Sequence, residues 1–409
     1  MSEIIRLQTA DYEEAMDFMN LVFSLGGAPT NFPHLLPKLY KPDDHLLQYN
    51  YAIKHNNKIR AVVGSFPLQL SAGGEILKVA GIGGVSTHPG ERRTGLMRKL
   101  MEAAVSDMDQ DGCDLSVLGG QRQRYGYYGY EKGGSILSFH LTKTNLRHTL
   151  RGQEPPDVSF HCIAAAPDSK HTPDSLFDQN QTLMDTVAWM HEAHAAQPVF
   201  LRREKADFLT ILTSWNCSVW VACEKQIPAG YMVINPDGSV SEFITTDNGC
   251  AQNIAAAWLQ QHNDEELIIQ VQPAQTEISV QMAQICEYWH LDLAYMYRIM
   301  NWPRVLKAML QVKADQMKLP DGLLSFWLKD QEKGFSLSLK NGQVTASWLD
   351  NDHDNFTLKL DRLTAARLVT GPLTAAQVLT AEQLSDANEQ LLLSSWFPLP
   401  FGWPMPDGV

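Results

Sequence analysis

The chain has 409 residues, 33 Lys/Arg against 46 Asp/Glu, a formal charge of −13 and 44% apolar residues. At roughly 150 residues per domain this predicts two to three globular domains, and 10 Trp, 15 Phe and 12 Tyr exclude a disordered chain. The acidity is uneven. Residues 1–150 hold 16 Lys/Arg against 15 Asp/Glu, whereas the remainder hold 17 against 31. No basic face of the size that nucleic-acid binding needs is present, so no nucleic-acid partner is expected. No apolar run reaches about 18 residues and the first residues lack the layout of a signal peptide, so no membrane association is expected. The six cysteines form no Cys-x-x-Cys pair and read as reduced thiols of a cytoplasmic protein.

Residues 4–7 read as a short strand and 12–23 as a helix. Residues 49–54 and 59–70 form a hairpin across Asn56-Asn57. A strand over 78–87 carries Gly81, Gly83 and Gly84. Glycine weakens strands, so the cluster predicts a bulge or the close approach of another backbone or a ligand. A helix from about 93 to 110 puts Met97, Leu100, Met101, Ala104, Val105 and Met108 on one stripe, and Gly112 ends it. Strands at 115–118 and 135–141 follow, and the proline-dotted stretch 151–174 reads as a linker.

A second α/β pattern follows. It has helices at 181–194, 204–213, 250–262 and 276–287, and strands at 218–223, 230–234, 239–245, 266–271 and 292–298. From residue 302 the pattern becomes a helix (303–314), strands at 322–329, 333–339, 343–349 and 355–360, and helices near 361–370 and 380–391. Asn341-Gly342 is a strong hairpin turn. A tail with Pro398, Pro400, Pro404 and Pro406 cannot be regular helix or strand, but Phe397, Leu399, Phe401, Trp403 and Met405 could dock it.

The stretch Val85-Ser-Thr-His-Pro-Gly-Glu-Arg-Arg-Thr-Gly-Leu-Met-Arg-Lys-Leu100 carries the chemistry. A glycine-marked strand enters a basic turn that opens an amphipathic helix. The first turn of a helix has backbone N–H groups without partners and partial positive charge. Arg92, Arg93 and Arg98 add full charges, and Gly95 lets a ligand reach the backbone. Basic residues at this end oppose the helix dipole, so their presence points to an anion site suited to a pyrophosphate. Two other patterns carry less. His191-Glu192-Ala193-His194 has i, i+3 spacing instead of the i, i+4 of zinc proteases, and reads as a solvated helix end; no metal is expected. The segment 244–250, Ile-Thr-Thr-Asp-Asn-Gly-Cys, lacks an Arg-x-x-Gly turn, so the second domain is not expected to bind a nucleotide-bearing cosubstrate.

Arg92-x-x-Gly95, following a strand and opening a helix, resembles the acetyl-CoA motif of the GNAT N-acetyltransferases, Arg/Gln-x-x-Gly-x-Gly/Ala. Met97 stands at the last position, a departure from that pattern; the Arg-Arg-x-Gly-Leu-x-Arg run is similar to that of the Eis (enhanced intracellular survival) type, which tolerates a larger residue there. Tyr125-Gly126-Tyr127-Tyr128-Gly129-Tyr130 is similar to the Tyr-Gly-x-Phe-Gly-Tyr segment of Eis-like enzymes. The resemblance implies an α/β (α+β) chain. Its domains are a catalytic GNAT domain (1–150), a second GNAT-like domain (151–301) and a domain resembling sterol-carrier-protein type 2 (302–409), whose C-terminal tail reaches the active site. It further implies that Val85, Ser86 and Thr87 pair with the pantetheine arm of acetyl-CoA, and that Arg92, Arg93, Thr94, Gly95, Leu96, Met97 and Arg98 hold its pyrophosphate. Tyr125 would be the general acid, Val409 would supply a carboxylate base, and Phe23 would line the acceptor pocket. The chain ends Pro-Asp-Gly-Val where the family usually ends in an aromatic residue. The implied reaction is direct attack of a primary amine (polyamine, aminoglycoside or lysine-like) on acetyl-CoA in a homo-oligomer, commonly a hexamer. The competing expectation is a non-catalytic CoA- or lipid-binding scaffold.

Overall fold

The computed structural model describes residues 3–151, 156–175, 181–246, 250–262, 264–349 and 356–409. The first part contributes β1 (Ile4–Arg6), β2 (Asn50–His55), β3 (Lys58–Ala72), β4 (Glu75–Thr87), β5 (Leu115–Leu118) and β6 (Glu131–Thr142). The second contributes β7 (Val158–Ala165), β8 (Val199–Leu201), β9 (Ser218–Glu224), β10 (Ile227–Ile234), β11 (Val240–Thr245), β12 (Glu266–Val271) and β13 (Tyr288–Ile299). All thirteen join one sheet in the order β1-β2-β3-β4-β5-β13-β6-β12-β11-β10-β9-β7, with β8 added to β3. The described residues thus bear out the mixed α/β class expected from the sequence.

The order has an approximate two-fold repeat. In each half a run of antiparallel strands ends in a parallel pair, β4 with β5 and β11 with β12. Each pair is bridged by a helix, Leu96–Gln110 and Ala251–Gln261. The last strand of each half is exchanged. β13 lies against β5, and β6 lies against β12. The two exchanged strands pair with each other over Tyr288–Tyr297.

Side-chain alternation along β2–β5 builds two cores. Tyr51, Ile53, Ala61, Val63, Ala80, Ile82 and Leu118 face one way and receive Leu96, Leu100, Met101, Ala104 and Met108 of the long helix. Met97 and Val105, expected on the same stripe, lie half-buried at its margin. Ala52, Val62 and Phe66 face the other way and receive Ala15, Met16, Phe18 and Met19 of the Tyr12–Ser24 helix.

The sequence expectation departs from the structure in four places. The stretch 151–174 is not only a linker: its residues 158–165 form β7, which pairs with β9, while 152–155 lie outside the described residues. Within 204–213, a 3-10 turn (Lys205–Asp207) precedes a short helix, Phe208–Leu212. The last helix runs Ala387–Trp396, later than expected, because Asp386 caps it by accepting from Glu389 N–H. His191 and His194 do not form a solvated helix end. His194 is 4% exposed. Their Nε2 atoms lie 2.8 Å from the carbonyls of Arg203 and Leu201 respectively.

The third part is a four-stranded sheet, β16 (Gln343–Leu349), β15 (Lys333–Lys340), β14 (Gly322–Leu328) and β17 (Leu358–Leu360), in that order. Position 355, expected in the last strand, lies outside the described residues. The Trp302–Gln316 helix buries Trp302, Val305, Leu306 and Met309 in one cluster with Leu324, Phe326 and Phe335 of this sheet. The same cluster contains Leu70, Leu77, Val79, Leu115 and Tyr297 of the large sheet, so the core is continuous between the two. Asp114 ties the junction. Its buried carboxylate accepts from Lys78 N–H (2.8 Å), Asn301 Nδ2 (2.9 Å) and Arg304 Nη1 (3.0 Å). Asp114→Ala removes the shared acceptor of all three donors and leaves a hole at its buried position. It is expected to cost about 2–3 kcal/mol, read as a lower midpoint of urea unfolding; an unchanged midpoint contradicts the assignment.

Candidate active site

β4 and β5 run parallel from Val79↔Leu115 to Ile82↔Leu118, where β5 ends and β4 continues to Thr87. Beyond Ile82 the edge of β4 that faced β5 has no strand beside it among the described residues. A bulge falls at the same point. Val62 opposes Ser86 while Gly64 opposes Gly83, so Gly84 and Val85 together oppose Val63. Gly84 has φ +60°, a conformation favoured by glycine. Within the bulge the buried Ser86 Oγ donates to Gly84 O (3.0 Å).

The turn after β4 is exposed from Arg92 to Gly95. Gly95 is the N-cap of the Leu96–Gln110 helix, with φ +88° and no side-chain cap. A Cβ there would meet nothing within 4 Å. Arg93 has φ +70°, strained for a residue with a side chain. The first turn carries no acidic residue. The helix therefore presents uncapped N–H groups, its positive dipole end, and the charges of Arg92, Arg93 and Arg98 to an open space. That is the donor set a diphosphate requires.

Leu118 leads through Gly119 and Gly120 to a short helix, Arg122–Tyr125. The Tyr125 ring is buried in the cluster that holds Leu96, Leu100 and Leu118. A Cβ on Gly120 would lie 2.4 Å from this ring, so the chain can pass there only as glycine. Burial raises the Tyr125 hydroxyl above its ordinary value, with Arg124 opposing, and the group stays protonated at neutral pH.

The proline-rich tail closes the opposite face of β4. Phe397, Leu399, Phe401 and Trp403 are buried, and Phe401 O accepts from Ser135 N–H (2.9 Å) on β6. The tail ends on the strand glycines. A Cβ on Gly83 would fall 2.6 Å from the Val409 carboxyl carbon, and one on Gly81 would fall 2.7 Å from Val409 Cγ2. Gly81 and Gly83 thus admit another backbone, and Gly84 makes the bulge. Gly408 lies under Tyr295 and Trp215: a Cβ there would be 2.7 Å from Tyr295 Oη and 3.2 Å from Trp215 Nε1. Phe23, the expected acceptor residue, is exposed and begins an edge-to-face aromatic row through Phe32 and Tyr40 to Phe66. Tyr40 Oη approaches Gly84 and has no hydrogen-bond partner among the described residues.

Sequence reasoning missed what fixes the tail. Arg203, 5% exposed, donates from Nε and Nη2 to Asp407 (3.0 and 2.6 Å) and from Nη1 and Nη2 to Glu242 (2.9 and 2.6 Å). Tyr231 Oη donates to Glu242 (2.7 Å). Burial would raise the Glu242 carboxyl, but Arg203 holds it down at about 2. Lys38 Nζ donates to Pro406 O. Burial lowers its ammonium to about 7, against the pull of Asp407 and with the push of Arg203. These residues are remote in sequence and form no motif. The only local signal was the apolar spacing of the tail. The 244–250 segment tests nothing about cosubstrate binding by the second domain, because 247–249 lie outside the described residues. No group of three or more His, Cys, Asp or Glu suited to a metal occurs among the described residues, and none of their helices is long and apolar enough to cross a membrane.

Residues 3–133 match the family model described as acetyltransferase (GNAT) domain. No curated protein matches the sequence. Among solved structures, a GCN5-related N-acetyltransferase from Kribbella flavida superposes with a TM-score of 0.68 at 16% identity, over 100% of this chain and 98% of that one. A probable N-acyltransferase from Enterococcus faecalis gives 0.66 at 17% identity, over 98% of each chain. Eis1 from Mycobacterium abscessus gives 0.66 at 12% identity, over 100% of each. At these identities the likeness is one of fold, and it extends over the whole chain.

Lys38 makes the tail pH-sensitive in a defined direction. Unfolded, it holds its proton up to about 10.5; folded, it releases it near 7. Between these values the unfolded state binds more protons, so this group's contribution to stability rises with pH. The melting temperature of the wild type relative to Lys38→Met is expected to climb from pH 7 to pH 10. A difference that stays flat over that range contradicts it.

Proposed function

With a GNAT acetyltransferase domain at residues 3–133, we propose that the chain is an acetyl-CoA-dependent N-acetyltransferase of the Eis-like kind, moving acetyl to a primary amine by direct attack in a ternary complex. The observation that carries the reading is the Val409 carboxyl carbon lying against the face of β4 at Gly83, on the strand whose β5-side edge is open beyond Ile82. Acetyl-CoA supplies an acyl group activated as a thioester. Arg92, Arg93, Thr94, Gly95, Leu96, Met97 and Arg98 would hold its pyrophosphate, and the open edge at Val85, Ser86 and Thr87 would pair with its pantetheine arm.

Each protein group then has one task. The carboxylate of Val409 takes a proton from the acceptor ammonium, leaving a neutral amine to attack the thioester carbonyl. Backbone N–H groups of the β4 bulge meet the negative charge that develops on the carbonyl oxygen. As the carbon–sulfur bond breaks, the Tyr125 hydroxyl gives its proton to the departing thiolate, and the proton that the attacking nitrogen sheds as the amide forms restores the phenol. Orientation of the two substrates across the strand supplies most of the acceleration. The aromatic row from Phe23 lines the acceptor side and suits an amine on a hydrocarbon stem, such as a polyamine, aminoglycoside or lysine-like chain, through cation–π contact.

The third part, a helix over a four-stranded sheet, is read as sterol-carrier-like in fold only, since its apolar side chains fill a core shared with the large sheet. A homo-oligomer, commonly a hexamer in Eis-like enzymes, is the expected assembly. Six free cysteines suit a reducing cytoplasm.

The deciding assay is acceptor-dependent release of CoA thiol with a panel of polyamines, aminoglycosides and lysine peptides. Tyr125→Phe is expected to lower kcat about 100-fold with little change in the KM for acetyl-CoA. Adding residues after Val409, which turns its carboxylate into an amide, is expected to abolish turnover while acetyl-CoA still binds. Full activity in either variant removes that residue's role; absence of both turnover and saturable acetyl-CoA binding removes the function.

A further inference from the structure

A second basic cleft lies along the side of the Leu96–Gln110 helix, away from the tail. It encloses about 880 Å³ and is lined by Arg98, Glu102 and Asp109 of that helix, Tyr127, Arg298 and Arg362 among others. The three arginines come from the three parts of the chain: the first domain, the exchanged strand β13, and the start of the Arg362–Thr370 helix. In a chain of charge −13 this convergence is notable.

Arg298 is 8% exposed. Its Nη1 donates to Tyr128 O (2.6 Å), Nη2 lies 3.5 Å from Asp109, and Nε has no acceptor among the described residues. Its neighbour is a like charge. A Cβ on Gly129 would fall 2.7 Å from Arg298 Nη1 and 2.9 Å from Arg362 Cζ, so both guanidiniums press against that one glycine. Burial pulls the Arg298 guanidinium below its ordinary value; Asp109 opposes this and Arg362 adds to it. Glu102 and Asp109 face the three guanidiniums within the cleft and Asp330 engages Arg362 from outside (3.0 Å), so the carboxylates match the guanidiniums in number and the unmet demand is the Arg298 Nε donor. A buried guanidinium with an idle donor and a second guanidinium beside it is costly unless an anion completes the site. Tyr127, 86% exposed, supplies a flat face at the rim. The volume is far larger than a lone phosphate and lies in the range of nucleotide-sized sites.

We propose that this cleft is a second anion site, completed by all three parts of the chain, which takes a nucleotide phosphate on Arg298 and Arg362 with the base stacked on Tyr127. It shares Arg98 with the site at the Arg92–Gly95 turn but extends away from it: Arg98 to Asp109 covers roughly 16 Å of helix axis, and Arg298 sits at the Asp109 end. The nucleotide is a free one, distinct from the acyl donor assigned to the Arg92–Gly95 turn.

The probe is adenosine 3′,5′-bisphosphate, titrated calorimetrically into the full chain at low and moderate salt. Saturable binding is expected, weakened roughly tenfold or more by Arg362→Gln, as loss of a charge-assisted hydrogen bond implies, and several-fold by Tyr127→Ala. Arg362→Gln disturbs only a partly exposed ion pair, so an unchanged melting temperature certifies its fold. Simultaneous binding of the probe and acetyl-CoA is expected; displacement of the probe by acetyl-CoA assigns it to the donor's own site and overturns the proposal. No saturable binding, or equal affinity in wild type and both variants, overturns the proposal. Thiol release by the wild type is measured in parallel, so loss of the acetyltransferase function is recognised independently.

Discussion

One guanidinium, that of Arg203, holds two carboxylates inside the protein, and the placement of the tail against β4 depends on it. Glu242 comes from β11 in the second half of the sheet and Asp407 from the last residues of the sequence. The net stability of such a buried triad is modest, because desolvation of three charges offsets most of their attraction. Direction is a different matter. A planar fork with four short bonds tolerates little rotation, and only two residues separate Asp407 from the carboxyl group that rests on Gly83. Tyr231 and the carbonyl-bound histidines 191 and 194 brace the fork and the strand entering it. The second half of the sheet, with Arg203 beside β8 and Glu242 on β11, therefore contributes the frame that aims the tail.

The exchange of β6 and β13 works in the same sense. Because β13 lies between β5 and β6, Tyr295 of β13 reaches Gly408, and Arg298 of the same strand reaches the flank of the first-domain helix. One inserted strand thus serves both faces of the first domain. Asp114 and the shared apolar core fix the third part against it, so the path of the tail is set by packing at each step.

Local chemistry made much of this legible. Asn56-Asn57 and Asn341-Gly342 adopt the positive φ angles that tight hairpins need, and the helix stripe from Leu100 to Met108 faces the sheet as its spacing requires. The glycine cluster announced both a bulge and a close approach without saying what approaches. What stayed hidden was long-range. Nothing near Tyr288 signals that β13 crosses to another domain, because a strand's partner is not written in its own periodicity. Arg203, Glu242 and Asp407 look like surface charges until the fold brings them together. His191 and His194 read as solvated because their acceptors are carbonyls of β8 and the residues beside it, which composition does not report.

The strand exchange also has a consequence for how the molecule is made. As the chain emerges from the ribosome, β1 to β5 are complete by residue 118, but the neighbour of β5 is not synthesised until residues 288–299. For more than a third of translation the first domain presents an open sheet edge at β5, and for somewhat less than a third β6 has neither β12 nor β13 beside it. Closure of the two halves is therefore a late, concerted event between segments far apart in sequence, the kind of step that folds slowly and offers edges to other nascent chains. The nascent chain thus passes through a stage in which chaperone capture competes with self-pairing.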